Sequence, residues 1–217
     1  MRFRFKHLGV RLVVLLWGSI AVAGGANQAA SRITVVVNNS ARVSASVLSQ
    51  AELETARIFG AAGIEITWLS CLDRIANTVD VCSEVPGNNE FVLHIVPTGR
   101  TSTDLVFGVA FMGEDGSGKY CNLFFDRIRD AHSNLGAGTS QILGTVAAHE
   151  LGHLLLGSRS HSRRGIMEAV WKEEALRQTG MGTFLFTAEQ GDLMRARIER
   201  AGAAGTDVKQ GSVISGQ

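Results

Sequence analysis

The feature that most constrains this chain is a His-Glu-Leu-Gly-His run within a long apolar stretch. The apolar residues around the run predict a helix over Thr139–Leu156. Because four residues advance a helix by slightly more than one turn, His149 and His153 lie on one face, where both can bind an ion about 2.1 Å from each nitrogen. Glu150 lies one position on, where it can contact a water on the metal. This arrangement favours a zinc hydrolase.

Two histidines leave a catalytic zinc site incomplete, because such sites usually have three protein ligands and one position open to water. His161 comes eight residues after His153, beyond Gly157. The missing Cβ of Gly157 allows the helix to end in a left-handed turn that sends the chain back. The residues after His161 favour it as the third ligand. The alternative is a glutamate further along the chain, for which the candidates are Glu168, Glu173 and Glu174.

This stretch resembles the metzincin peptidases, whose pattern is H-E-x-x-H-x-x-G-x-x-H followed by a methionine turn. Gly157 lies four residues after His153 where the pattern has three, and His161 lies eight after it where the pattern has six. The turn therefore carries two extra residues, yet the Gly165-Ile166-Met167 ending is similar to that of matrixins and archaemetzincins. The matching positions are His149, Glu150, His153, Gly157, His161 and Met167.

The resemblance implies a zinc-dependent endopeptidase that acts on protein or peptide substrates. Zn²⁺ would be held by His149, His153 and His161, and Glu150 would activate the water that hydrolyses the peptide bond. Met167 would form a hydrophobic floor below the histidines. The alternative is a non-catalytic zinc-binding module, against which the presence of Glu150 argues, because a structural site needs no base.

The N-terminus has the three parts of a secretory signal peptide. Four basic residues precede an apolar run at Leu12–Ala23, and small residues follow it. The run is short for a membrane span of about 20 residues, and it contains Gly18 and Ser19. We therefore expect cleavage of residues 1–30, a secreted or periplasmic mature protein and no stable membrane insertion after cleavage.

The charge balance gives no indication of a nucleic-acid partner. Residues 1–30 carry four Lys/Arg and no Asp/Glu, so their removal leaves 17 basic against 20 acidic residues. A mildly acidic chain lacks the basic surface that nucleic-acid binding requires. The oligomeric state is not predicted by these patterns.

The three cysteines have different surroundings. Cys71 and Cys82 flank a polar stretch between two strand-like runs, and an oxidising compartment favours a disulfide between them. Chain-entropy arguments give a loop of this length about 2–3 kcal/mol of stabilisation. Cys121 lies in an apolar strand pattern and is expected to be a buried free thiol.

The order of elements predicts one α/β (α+β) catalytic domain over residues 31–201 and a flexible tail over residues 202–217. The expected fold is zincin/metzincin-like, with a mixed twisted sheet of four to five strands, an active-site helix and a C-terminal helical subdomain. By the resemblance, the fourth strand is an antiparallel edge strand in which Gly108–Phe111 pairs with the substrate. The predicted strands are Arg32–Val37, Ile64–Leu69, Phe91–Val96, Val106–Met112 and Tyr120–Asp126.

The predicted helices frame the active-site helix. One lies before it, at Ser46–Ala62. Arg127–Ala137 is expected to be a connecting segment. After the methionine turn, a helical turn is expected at Glu173–Arg177. A final helix at Thr187–Ala201 begins with Thr187 and Gln190 in capping-box spacing.

Overall fold

A computed structural model of the chain describes residues 31–71, 85–97, 106–135, 137–157, 161–171 and 173–211. One helix lies between the first two strands, three more strands follow in succession, and four helices complete the described chain. The strands are β1 (Ser31–Asn39), β2 (Ile64–Ser70), β3 (Glu90–Val96), β4 (Gly108–Phe111) and β5 (Tyr120–Phe124). The helices are α1 (Ala45–Ala61), α2 (Phe125–Leu135), α3 (Thr139–Leu156), α4 (Glu173–Gly180) and α5 (Ala188–Gly211).

The described strands form one mixed sheet in the order β2-β1-β3-β5-β4. β1 pairs in parallel with both β2 and β3, and β3 pairs in parallel with β5. β4 is antiparallel to β5, with Gly108 opposite Leu123 and Phe111 opposite Tyr120. The predicted mixed sheet and its antiparallel edge strand, fourth in sequence, are therefore confirmed.

The core lies between one face of the sheet and helices α1 and α3. Alternate residues of β1, such as Ile33, Val35 and Val37, are buried against these helices, as the period of two in a strand requires. α3 crosses α1 closely at Gly144, where a Cβ would lie 2.6 Å from the backbone oxygen of Ala51. The absence of a side chain at Gly144 thus allows α1 to hold α3 against the sheet.

Helix α3 is buried almost all round, which agrees with the apolar run that predicted it. Its C-terminal end is set by Gly157, which has φ 64° and donates its N–H to the oxygen of His153 at 3.2 Å. The expected left-handed turn is therefore present. Among the described residues, no helix is both long and apolar enough to cross a membrane.

The expectation that Arg127–Ala137 would be a connecting segment was wrong. The fifth strand ends at Phe124, and helix α2 begins at Phe125. The segment has the residues of an amphipathic helix: Ile128 is fully buried, and Asp126 lies in the first turn, where a negative charge is favourable. Its charged side chains are characteristic of one solvated helix face, although the same residues are also typical of a loop.

The end predicted for the last helix, Ala201, was also wrong. α5 continues to Gly211 and so includes the first part of the expected tail at residues 202–217. Gly202 and Gly205 each cost a helix only about 1 kcal/mol relative to alanine, and Ala203 and Ala204 between them are good helix formers, so the helix continues through them.

Two predictions fall on residues outside the described ranges. The expected signal peptide covers residues 1–30, and the partner expected for Cys71 is Cys82. Both stay predictions. Cys121 is a free cysteine with a fully buried side chain, as expected from its place in an apolar strand.

Candidate metal centre

Three imidazole rings converge at the C-terminal half of α3. His149 and His153 project from the same face of the helix, and His161 approaches after the turn at Gly157. The Nε2 atom of His153 lies 3.1 Å from Nε2 of His149 and 3.1 Å from Nε2 of His161. One ring nitrogen from each histidine lies within 4.8 Å of the other two. The two extra residues before His161 therefore do not prevent its ring from reaching the other two.

The spacing and chemistry of these nitrogens fit a metal ion. Two nitrogens about 2.1 Å from one tetrahedral ion lie about 3.4 Å apart, close to the distances observed. Nδ1 of His149 lies 2.7 Å from the backbone oxygen of Ile166. Because a carbonyl oxygen can only accept, Nδ1 carries the proton, and Nε2 directs a lone pair towards the other two rings. This is the tautomer that a metal ligand requires.

The protonation of the histidines also favours ligation. The pKa of His149 is lowered to about 3, chiefly by burial; the hydrogen bond with the Ile166 carbonyl opposes this fall, and the neighbouring rings of His153 and His161 add to it. Burial lowers the pKa of His161 as well. A neutral imidazole is the form that binds metal, so no proton has to leave His149 near neutral pH.

Glu150 is buried beside this cluster and faces the edge strand β4. Burial raises the pKa of Glu150 to about 8, and a hydrogen bond from the backbone N–H of Ala110 opposes that rise. A Cβ at Gly108 would lie 2.8 Å from both Cγ and Oε1 of Glu150. The carboxyl group therefore occupies space that exists only because residue 108 is glycine.

Met167 lies in a closed turn that follows the third histidine. The N–H of Ser162 donates to the oxygen of Met167 at 2.8 Å, and Gly165 adopts φ 77° within the turn. Met167 is fully buried, and a Cβ at Gly152 on α3 would lie 2.8 Å from its sulfur. The sulfur therefore packs against the backbone of α3 at Gly152, and the role of Met167 as a hydrophobic floor stays a prediction.

The structure brings His161, and not a glutamate, to the other two histidines. Among the described residues, the metal-ligating side chains that cluster are His149, His153 and His161. The carboxylate of Glu174 instead accepts hydrogen bonds from Arg177 at 2.8 Å and from Gln178 at 3.1 Å. The side chain of Glu173 lies outside the described set, and the backbone of Glu168 forms a bridge with Ser162.

Comparisons with known proteins identify the fold. Neither a protein-family model nor a curated protein matches the sequence. Among solved structures, an archaemetzincin from Methanopyrus kandleri is similar over 78% of this chain and 97% of its own, with a TM-score of 0.50 and 15% identity. The chain has an archaemetzincin-like fold. A zinc-dependent peptidase from Methanocorpusculum labreanum is similar over 74% of this chain and 99% of its own, with a TM-score of 0.50 and 13% identity.

The site contains contacts that the sequence analysis missed. The carbonyl of Ile166 accepts a hydrogen bond from Trp171 as well as the one from His149. A backbone oxygen has no signature in a sequence, so this contact could not have been found. The glycine inside a strand pattern at Gly108 was a usable signal, because such glycines often mark a close approach.

Proposed function

We propose that this chain is a zinc-dependent peptidase. The observation that carries the proposal is the convergence of three imidazole nitrogens beside a buried carboxyl group, on a fold similar to that of a protein described as a zinc-dependent peptidase. The residues that the proposal assigns to zinc are His149, His153 and His161. All three offer imidazole nitrogen donors, which zinc accepts readily, and a tetrahedral ion with three such ligands keeps one position open.

Glu150 is the general base and acid of the proposed reaction. When bound, Zn²⁺ supplies a Lewis acid that polarises the peptide carbonyl and makes a water easier to deprotonate. Glu150 accepts the proton of that water and passes it to the departing amine. Its raised pKa, about 8, supports a group that can hold a proton near neutral pH, and the charge of a nearby cation favours its ionised form.

The edge strand β4 is the proposed binding site for the substrate backbone. In the described sheet β4 pairs with β5 on one side and with no strand on the other. An extended peptide can add to such an edge through main-chain hydrogen bonds. Glu150 lies against Gly108 of this strand, so a peptide bound along β4 would pass the base and the three histidines.

The proposed site of action is outside the cytoplasm, in the secreted or periplasmic space. The basic, apolar and small residues of the first 30 positions support export, and a Cys71–Cys82 disulfide would form there. Mass spectrometry of the protein recovered from the culture medium or periplasm tests both. We expect loss of the first 23 to 30 residues and a mass that rises by about 2 Da on reduction. Recovery of the intact chain from the cytoplasm would contradict export.

Digestion of casein and of a peptide library, with and without a chelator, tests the activity. We expect cleavage that the chelator abolishes and zinc restores. Glu150→Gln should bind zinc fully and cleave nothing, whereas Glu189→Gln, an exposed glutamate on α5, should cleave as the wild type does. Full zinc content in the wild type with no cleavage of any substrate would favour a zinc-binding module instead.

A further inference from the structure

The carbonyl of Ile166 is shared by two ring donors. Nδ1 of His149 donates to it at 2.7 Å, and Nε1 of Trp171 donates to it at 3.2 Å. The same residue is fixed from its other side, because the N–H of Ile166 donates to the oxygen of Leu185 at 3.0 Å. Ile166 is fully buried, so neither its carbonyl oxygen nor its N–H can easily exchange its protein partner for water.

The indole of Trp171 also packs against the imidazole of His149, which donates to the same carbonyl. The Trp171 and His149 ring centroids lie 5.4 Å apart with the planes at 85°. The indole is supported by Phe184, at 5.4 Å and 86°, and by Phe107, at 6.4 Å. The contacts of Trp171 with His149 and Phe184 are edge-to-face, an arrangement that is favourable and directional. They hold the indole where it blocks rotation of the His149 ring towards Trp171.

We propose that Trp171 is a positioning residue for His149. The indole N–H fixes the carbonyl that selects the His149 tautomer, and the indole ring fixes the plane of the imidazole, so that Nε2 points at the other two histidines before any ion binds. The inference rests on the proposed zinc site, and it adds a residue that contacts no ion itself. Loss of a group that orients a metal ligand typically weakens metal binding about 10- to 100-fold.

A direct contact between Trp171 and the substrate is the alternative explanation for an effect on activity. Trp171 is only half-buried, so part of the indole faces solvent near the histidines. The two roles predict different measurements. A positioning residue changes zinc affinity, the His149 tautomer and kcat, whereas a substrate contact changes KM and leaves zinc binding as it was.

Trp171→Phe is the primary variant, because it keeps an aromatic ring and removes the N–H. Trp68→Phe is its matched control. Among the described residues, Nε1 of Trp68 is buried without a hydrogen-bond partner, so the same substitution there removes no hydrogen bond. Zinc affinity is measured by competition with a chromophoric chelator. In the metal-free protein, the ¹⁵N shifts of the His149 ring report the tautomer, independently of activity.

We expect Trp171→Phe to bind zinc about 10-fold or more weakly, to mix the two His149 tautomers and to lower kcat more than it raises KM. Trp68→Phe should match the wild type in all three. Equal zinc affinity and an unchanged tautomer in Trp171→Phe would overturn the inference, as would a change confined to KM.

Phe184→Leu provides a second test, which remains informative if Trp171→Phe does not fold. It keeps the indole N–H and removes the ring that supports the indole from behind. We expect weaker zinc binding with the tautomer preserved, and unchanged affinity would overturn the role of ring packing. A wild-type protein that binds no zinc would refute the proposed function, while the tautomer of the metal-free variants would still test the role of Trp171.

Discussion

Gly108→Ala should impair the proposed peptidase without removing its metal. The new Cβ would lie 2.8 Å from Cγ and Oε1 of Glu150 and 3.0 Å from the backbone oxygen of Asn122. Ordinary contact begins at 3.4 Å, so the Glu150 side chain has to move by about 0.6 Å. Glu150 is buried and β4 is hydrogen-bonded to β5, so neither the Glu150 side chain nor the β4 backbone can move freely.

The displacement acts on the base and not on the ligands. A catalytic group misplaced by about 1 Å can cost about 100-fold in rate, so we expect kcat to fall by roughly 10- to 100-fold. Overpacking should also lower the free energy of unfolding by about 1–3 kcal/mol. Zinc content should remain at one ion per chain, because Glu150 is not a proposed ligand.

The assay combines hydrolysis of a fluorogenic peptide with zinc analysis of the same sample. Gly60→Ala is the matched control, since a Cβ at Gly60 on α1 meets nothing within 4 Å. It should leave kcat unchanged and stabilise the protein by at most about 1 kcal/mol through helix propensity. Wild-type turnover by a zinc-loaded Gly108→Ala variant would refute the argument that β4 fixes the position of Glu150.

Three further predictions concern the ligands, the buried carboxyl and the helix crossing. His161→Ala should weaken zinc binding more than about 100-fold in the chelator competition, and stoichiometric zinc at wild-type affinity would rule out His161 as a ligand. In the metal-free protein the pKa of Glu150 is raised to about 8, so its contribution to stability is present at acidic pH and lost as the pH rises towards 8. Between pH 6.5 and 8, urea unfolding of the metal-free protein should show a loss of about 2 kcal/mol that Glu150→Gln does not share, because the titration of the histidines is common to both proteins. Gly144→Ala should lower the free energy of unfolding by up to about 2 kcal/mol, because overpacking against the Ala51 oxygen outweighs the gain in helix propensity, and an equally stable variant would contradict the close crossing of α1 and α3.

The parts of the site that follow from short-range geometry could be predicted from the sequence. The four-residue spacing of His149 and His153 in an apolar helix places both rings on one face whatever the rest of the chain does. Gly157 favoured a left-handed end to that helix, and the helix has one. The capping box of α5 is also present, since Thr187 and Gln190 exchange hydrogen bonds at 2.9 Å and 3.3 Å.

The parts that depend on tertiary contacts could not be predicted in the same way. α2 has as many charged residues as apolar ones, so its sequence resembled that of a loop, and the burial of Ile128 depends on tertiary packing. The second hydrogen bond to the Ile166 carbonyl joins groups that meet only when the chain has folded. Whether His161 or a glutamate completes the site depends on the path of the turn, which spacing alone did not determine.

Diffraction or X-ray absorption at the zinc edge, on the wild type and on His161→Ala, tests the central claim most directly. The account predicts one ion per wild-type chain with three imidazole nitrogens at about 2.1 Å, one of them from His161, and a depleted site in the variant. An ion ligated by a glutamate in place of His161, or no ion in zinc-containing buffer, would contradict it.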